Sequence, residues 1–277
     1  MIKLPFNVDL KDKVAVITGG GGVLMSDFAA ALAAAGARVA LLDIDGEAAR
    51  KNAETIGKNA IGIKANCLDK EDLRKAKIAV TEKFGKVNLL INGAGGNNPR
   101  ATTDNEYMTP DLKGVKDFFA LEESGFKFVF DLNLVTAFLV TQVFAEDMVK
   151  TGGGIINISS MNAFRPLTKI PAYSAAKAGL SNLTQWMAVH FAPCGIRVNG
   201  IAPGFFVTKQ NEELLYNKDG TPTARTGKIL SHTPQNRFGE VNDLIGTLLW
   251  LASDAASGFV TGVVIPVDGG FNAYSGV

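Results

Sequence analysis

Val14-Ala15-Val16-Ile17-Thr18-Gly19-Gly20-Gly21-Gly22 runs from an apolar stretch into four glycines, and an Ala-rich helical pattern follows from Ser26 to Ala35. A short continuous apolar run predicts a strand buried on both faces. Glycines between a strand and a helix let backbone approach a pyrophosphate, whose charge is favoured by the free amides and dipole at the helix start. A merely tight connection needs the same glycines. The rest of the chain has to choose between the two.

The pattern repeats outward from that turn. Arg38 to Leu42 predicts a second strand, Glu47 to Ile56 a polar helix, Ala60 to Ala65 a third strand, Lys70 to Phe84 a helix and Val87 to Ile91 a fourth strand. Strands at Gly154–Ile158, Ile196–Ile201 and Val263–Val267 follow, with helices near 128–150, 173–192 and 241–252 between them. Alternating apolar strands and helices predict a doubly wound, Rossmann-like parallel α/β sheet of about seven strands, with helices on both faces. No linker or repeat interrupts the alternation, so residues 1–277 are expected to form one domain. The polar, irregular stretches 95–126 and 205–237 follow strand ends on the edge where such folds bind ligands, and are expected to face substrate.

Of the 277 residues 47% are hydrophobic and 20% charged, enough apolar material for a core and too little charge for disorder. With 28 basic against 27 acidic residues the net charge is +1, which argues against nucleic acid or an anionic membrane as partner. Cys67 and Cys194 fit no disulfide or metal pattern, and His190 and His232 are isolated, so buried thiols and no metal are expected. Met1 to Lys13 lacks the apolar core of a signal peptide. The apolar run Phe28 to Ala37 falls short of the roughly 20 residues of a membrane span. A cytoplasmic protein is expected.

Asp43 closes the second strand, where a carboxylate can accept hydrogen bonds from adenosine ribose hydroxyls and repel a 2′-phosphate, which favours NAD over NADP. The alternative is that Asp43, with Asp45, caps the next helix. Ser160 follows the fifth strand, Tyr173 stands 13 residues on, and Lys177 lies one helical turn beyond Tyr173. A phenol with its usual pKa near 10 is a poor base at neutral pH. An ammonium at about 4 Å and an effective dielectric near 20 supplies about 4 kcal/mol, some three pKa units. The pair is therefore expected to bring Tyr173 towards 7, with Ser160 holding the reacting oxygen while a cofactor exchanges hydride at carbon.

From Leu10 to Gly270 the chain resembles the short-chain dehydrogenase/reductase family. Ser160, Tyr173 and Lys177 match its catalytic Ser-Tyr-Lys, and Asn133 matches the Asn that completes the tetrad through a water relay. Asn92-Gly93-Ala94-Gly95 resembles its Asn-Asn-Ala-Gly motif, with Gly93 for the second Asn. Arg197-Val198-Asn199 and Ala202-Pro203-Gly204 with Val207 and Thr208 resemble the segment that clasps nicotinamide and pyrophosphate, and Val267-Asp268-Gly269-Gly270 the C-terminal signature. The resemblance implies that Gly19, Gly21, Gly22, Val23, Leu24, Asp43, Asn66, Cys67, Asn92, Gly93, Ala94, Tyr173, Lys177, Pro203, Gly204, Val207 and Thr208 contact the dinucleotide. Two departures stand out. Val23 and Met25 occupy glycine positions of Thr-Gly-x-x-x-Gly-x-Gly, and Asn66-Cys67 replaces an Asp-Val pair.

Gly95-Gly96-Asn97-Asn98-Pro99-Arg100 and Met161-Asn162 set amides and a guanidinium after the strands that carry the chemistry. Such groups suit a polyhydroxylated carboxylate; the alternative is that they organise turns. Asn97, Asn98, Arg100, Ser160, Asn162 and Lys209 are the expected substrate residues, with Arg100, Lys209 or Arg165 meeting the carboxylate. Resemblance to sugar-acid members of the family implies interconversion of D-fructuronate and D-mannonate with NAD(H), or another sugar-acid or polyol pair such as that of a gluconate 5-dehydrogenase. The contrasting reading is a dinucleotide-binding sensor without turnover. The family also implies a homotetramer that pairs the helices near 128–150 and 173–192.

Overall fold

The computed structural model describes residues 8–207 and 215–276. Seven strands form one parallel sheet in the order β3-β2-β1-β4-β5-β6-β7: β1 Val14–Thr18, β2 Arg38–Asp43, β3 Ala60–Lys64, β4 Leu89–Asn92, β5 Gly153–Ile158, β6 Ile196–Pro203 and β7 Val264–Val267. Strand order reverses direction between β1 and β4, where doubly wound sheets open a crevice at the carboxyl ends of their strands.

Alternation along each strand divides the core in two. Ala15 and Ile17 of β1 face helices α1 (Val23–Ala34) and α8 (Val241–Ala252), packing with Phe28, Leu32, Leu244 and Leu248. Val14 and Val16 face α3 (Lys70–Phe84), α5 (Thr136–Met148) and α6 (Pro171–Phe191), packing with Leu73, Val80, Phe144 and Met187. Helix α2 (Gly46–Ile56) lies against β2 and β3. The expected fold class stands.

The differences from expectation lie at element ends. Helix α1 starts at Val23, before the apolar pattern becomes visible, with Gly22 as a cap that has no side chain to offer. The helix expected near 128–150 begins at Glu123 as α4 (Glu123–Phe130), passes through a π-helical turn at Asp131–Val135 and continues as α5. This continuous run, Glu123–Met148, has the length and hydropathy of a membrane span, whereas the sequence pointed only to the shorter run Phe28 to Ala37. Half of it is buried, and it packs on α3 and β4 as a core helix. The stretch 205–237, expected to be irregular, contains α7 (Ala224–Ser231). Cys67 is buried as expected; Cys194 is only half-buried.

Candidate active site

The β1 strand hands the chain to α1 through Gly19, whose φ of +75° favours glycine. A Cβ there would stand 3.1 Å from the backbone of Gly93 and Ala94. Thr18 Oγ1 accepts both the Gly93 and Ala94 amides at 3.1 Å, which locks the exit of β4 to the exit of β1. The first amides of any α-helix lack intrahelical acceptors, and no side chain caps those of α1. Val23, Leu24 and Met25, which carry them, line a cleft of about 610 Å³ together with Gly19, Gly21, Gly22, Asp43, Gly93, Ser160, Tyr173, Lys177, Pro203 and Gly204.

Asp43 stands at the end of β2. Its carboxylate accepts the Gly21 amide and the Asp45 amide, both at 2.9 Å. The α2 cap is Asp45, whose Oδ1 accepts the Glu47 and Ala48 amides at 3.1 Å. The capping alternative for Asp43 is thereby removed, and its carboxylate sits on the cleft wall beside the glycine turn. Cys67 is close enough for this carboxylate to act on it: burial first, then the Asp43 charge, push its thiol up to about 12. It is inert as a nucleophile. Asn66 is used locally, its Oδ1 accepting the Leu68 amide at 3.0 Å.

On the other side of the crevice, Ser160 follows two residues after the end of β5, and Pro171 opens α6 so that Tyr173 falls in its first turn and Lys177 one turn later. The Ser160 side chain hydrogen-bonds Tyr173 and accepts the Asn162 amide at 3.3 Å. Lys177 is buried, and Nζ donates to the Ile158 carbonyl at 2.7 Å, 5.7 Å from the Tyr173 ring centre. Asn133 is held in the π-helical turn. Its Nδ2 donates to the carbonyls of Gly96 and Val129 at 2.7 Å, and its Oδ1 accepts the Gly96 amide at 3.1 Å. A Cβ at Gly95 would lie 2.7 Å from Asn133 Oδ1 and 3.1 Å from Lys177 Nζ, so the bare backbone there is what lets the two groups approach.

The electrostatics correct the expected phenol. Burial pushes Tyr173 above the usual tyrosine range, the Ser160 hydrogen bond only partly opposing it. Burial also lowers Lys177 to about 8. Desolvation dominates at both groups, and Nζ is turned to the Ile158 carbonyl rather than to the phenol oxygen. The arrangement is therefore a protonated phenol ready to give a proton to an oxygen held by Ser160.

Other sequence-predicted residues lie apart from the cleft. Asn92 points into a buried network, its Nδ2 donating to Thr141 Oγ1 and to Asn157 Oδ1, at 3.1 and 2.8 Å. Asn97 donates to Thr102 Oγ1, and Asn98 Oδ1 accepts the Arg100 amide, so both organise the 3-10 turn Pro99–Ala101. Arg100 is half-exposed, near Glu122 at 3.8 Å and Ser124 at 3.4 Å. Arg165 donates from Nε to the Asn272 carbonyl at 3.1 Å. Arg197 is buried against Asp254 and the Leu251 carbonyl, which makes it structural. Ala94 packs on the core and Val207 is exposed; Thr208 and Lys209 lie outside the described residues. Gly95, Gly96, Phe205 and Phe206 line the cleft from the two segments expected to face substrate, whereas Met25, Asp45, Ala48, Ile158 and Ser159 were not among the expected cleft residues. Their adjacency to the motifs was the available signal. Among the described residues, no cluster of three His, Cys, Asp or Glu side chains is placed to hold a metal.

The uncapped start of α1, the close approach at Gly19 and the Asp43 carboxylate on one wall together fit a dinucleotide, with its pyrophosphate at the helix start. A family profile described as enoyl-(acyl carrier protein) reductase, one of the short-chain dehydrogenase/reductase profiles, matches residues 26–272. The chain belongs to the short-chain dehydrogenase/reductase family. Among its members, a crystal structure of a candidate D-mannonate oxidoreductase from Haemophilus influenzae with bound NAD superposes with a TM-score of 0.94. The two chains are 52% identical, over 99% of this chain and 100% of that one. The 7α-hydroxysteroid dehydrogenase of Escherichia coli is 32% identical over 95% of this chain and 96% of its own. The 2-dehydro-3-deoxy-D-gluconate 5-dehydrogenase of Formosa agariphila is 35% identical over 97% of this chain and 96% of its own. As a short-chain dehydrogenase/reductase, this chain is an oxidoreductase.

Proposed function

We propose that this short-chain dehydrogenase/reductase uses NAD(H) to interconvert the carbonyl and alcohol of a sugar acid, with D-fructuronate and D-mannonate the foremost pair. One observation carries the reading: Tyr173, hydrogen-bonded to Ser160 and one turn from Lys177, lines the same cleft as the glycine turn and Asp43. The dinucleotide supplies or takes hydride at carbon. Ser160 Oγ holds the substrate oxygen, the Tyr173 hydroxyl gives it a proton, and Lys177 keeps positive charge beside them. Asn133 holds the Gly95–Gly96 backbone against this group. The Asp43 carboxylate favours two ribose hydroxyls and repels a 2′-phosphate, which supports NAD over NADP.

Support for a hydroxyl-rich substrate comes from Asn162, buried two residues after Ser160 with its Oδ1 unpartnered. A buried acceptor without a donor is costly, and a substrate hydroxyl would supply the donor. Arg165 bonds the Asn272 carbonyl through Nε apart from the cleft, so the carboxylate partner expected there is not assigned to it. Arg100 already has Glu122 and Ser124 beside it. The substrates for which the Haemophilus and Formosa relatives are named favour the same class. From the segments expected to face substrate, Gly95, Gly96, Phe205 and Phe206 line the cleft, and the Glu106–Lys228 ion pair at 2.8 Å joins described parts of the two. With both thiols free, the cytoplasm is the compartment we assign.

The test measures NADH and NADPH oxidation with D-fructuronate, 5-ketogluconate and a 7-oxosteroid, beside fluorescence titration of NADH. Oxidation of NADH with fructuronate is expected, and Tyr173→Phe should lower kcat at least a hundredfold while NADH still binds. A preference for the steroid or for NADPH overturns the substrate or cofactor assignment. Binding of NADH with no turnover across the panel points instead to a sensor.

A further inference from the structure

We propose that Met25 and Gly93 are one interlocking unit, and that Met25 is a positioning residue for the dinucleotide-binding start of α1. Both positions depart from the family motifs, glycine being replaced at 25 and asparagine at 93, and the structure joins the two departures in one place. A Cβ built on Gly93 would lie 2.0 Å from Met25 Sδ, 2.7 Å from Met25 Cγ and 2.8 Å from the Thr18 carbonyl oxygen. No side chain fits at 93 while the thioether is there. Met25 is buried, and packs in the core layer with Ile17, Phe28 and Ile91.

The contact reaches the cofactor through the backbone. Met25 is the third residue of α1, in the turn whose uncapped amides line the cleft. Gly93 is tied by its own amide to Thr18 Oγ1 at 3.1 Å, as is Ala94. The thioether therefore wedges between the first turn of α1 and the fixed exit of β4. Displacing it moves the amides of Val23 and Leu24, the groups available to an anion at this helix start. The volume withheld at Gly93 is the volume Met25 uses, so neither departure loosens the turn.

The proposal rests on the dinucleotide reading of the cleft, and a double-mutant cycle separates the two. Wild type, Met25→Ala, Gly93→Ala and the double variant are titrated with NADH by fluorescence, and their thermal midpoints are measured without ligand. Gly93→Ala is expected to raise the Kd for NADH several-fold more when made in the wild type than when made on top of Met25→Ala; the 2.8 Å approach to the Thr18 carbonyl is a penalty the two backgrounds share. An equal penalty in both backgrounds overturns the interlock. A fall in midpoint with unchanged Kd overturns the positioning role and leaves packing alone. If Gly93→Ala yields no folded protein, a folded, NADH-binding double variant supports the proposal and an unfolded one sinks it. Failure of wild type to bind NADH strikes the dinucleotide reading itself.

Discussion

Lys177 is an ammonium with little water around it, and the folded chain pays for that in a pH-dependent way. Burial lowers it from 10.5 to about 8. Below about 8 the folded and unfolded chains both carry the proton, and the folded state bears the full desolvation cost. Between about 8 and 10.5 the unfolded chain binds more protons, so stability rises with pH. Lys177→Met has no such group. Wild type should gain stability on this variant from pH 8 to 10, by up to about 3 kcal/mol, read as a melting-temperature difference that widens with pH; parallel curves would refute the buried charge. The same value predicts carbonyl reduction that is level up to about pH 8 and falls above it as Lys177 discharges, read from kcat/KM against pH. Tyr173, raised by burial, remains protonated through that window. Residue identities at this scale were legible in order and spacing. The direction of the phenol's shift was not, because spacing along a helix says which groups are neighbours and nothing of how dry they are or that Ile158 takes the ammonium.

Elements place these groups with modest devices. A π-helical turn inserts itself between α4 and α5 and points Asn133 inward, where its amide meets Gly96 and Val129. Replacing Asn133 with Ala strands both polar groups of Gly96, at about 1–3 kcal/mol for each left unsatisfied. We expect a lower urea midpoint together with slower turnover; an unchanged midpoint would mean that water fills the role. The sequence showed a helix here but began it near 128 rather than at Glu123, since the aromatic run Phe126, Phe128 and Phe130 has no helical period of its own. Helix α3 matched at both ends, where Asp69 caps the start and Gly85 the finish. Caps are written in side chains and can be seen in advance; a wider turn inside a helix cannot.

For the whole molecule, an apolar face is left open along the outer side of α5 and α6. Phe138 is 44% exposed, Trp186 58% and Val189 79%, with His190 stacked on Trp186 at 4.6 Å. A patch of this kind on a single chain marks an association surface, and we propose that it pairs copies of the chain into the expected tetramer. Trp186→Glu with Val189→Glu should reduce the mass measured by light scattering; an unaltered mass would remove these helices from the interface. The order of the strands in the sheet was not read from the sequence, whereas the seven strands and the helices on both faces were legible because strands buried on both sides leave uninterrupted apolar runs. The walls of the substrate region were less so, their amides serving turns as readily as ligands. The grip of Asn133 on the Gly96 peptide unit has an evolutionary consequence. It is a fixed post from which the following loop departs, so that loop can lengthen, shorten or be traded between relatives without disturbing the reacting groups behind it. New specificities would then arise by grafting segments beyond the post, with the proton-transfer machinery inherited intact.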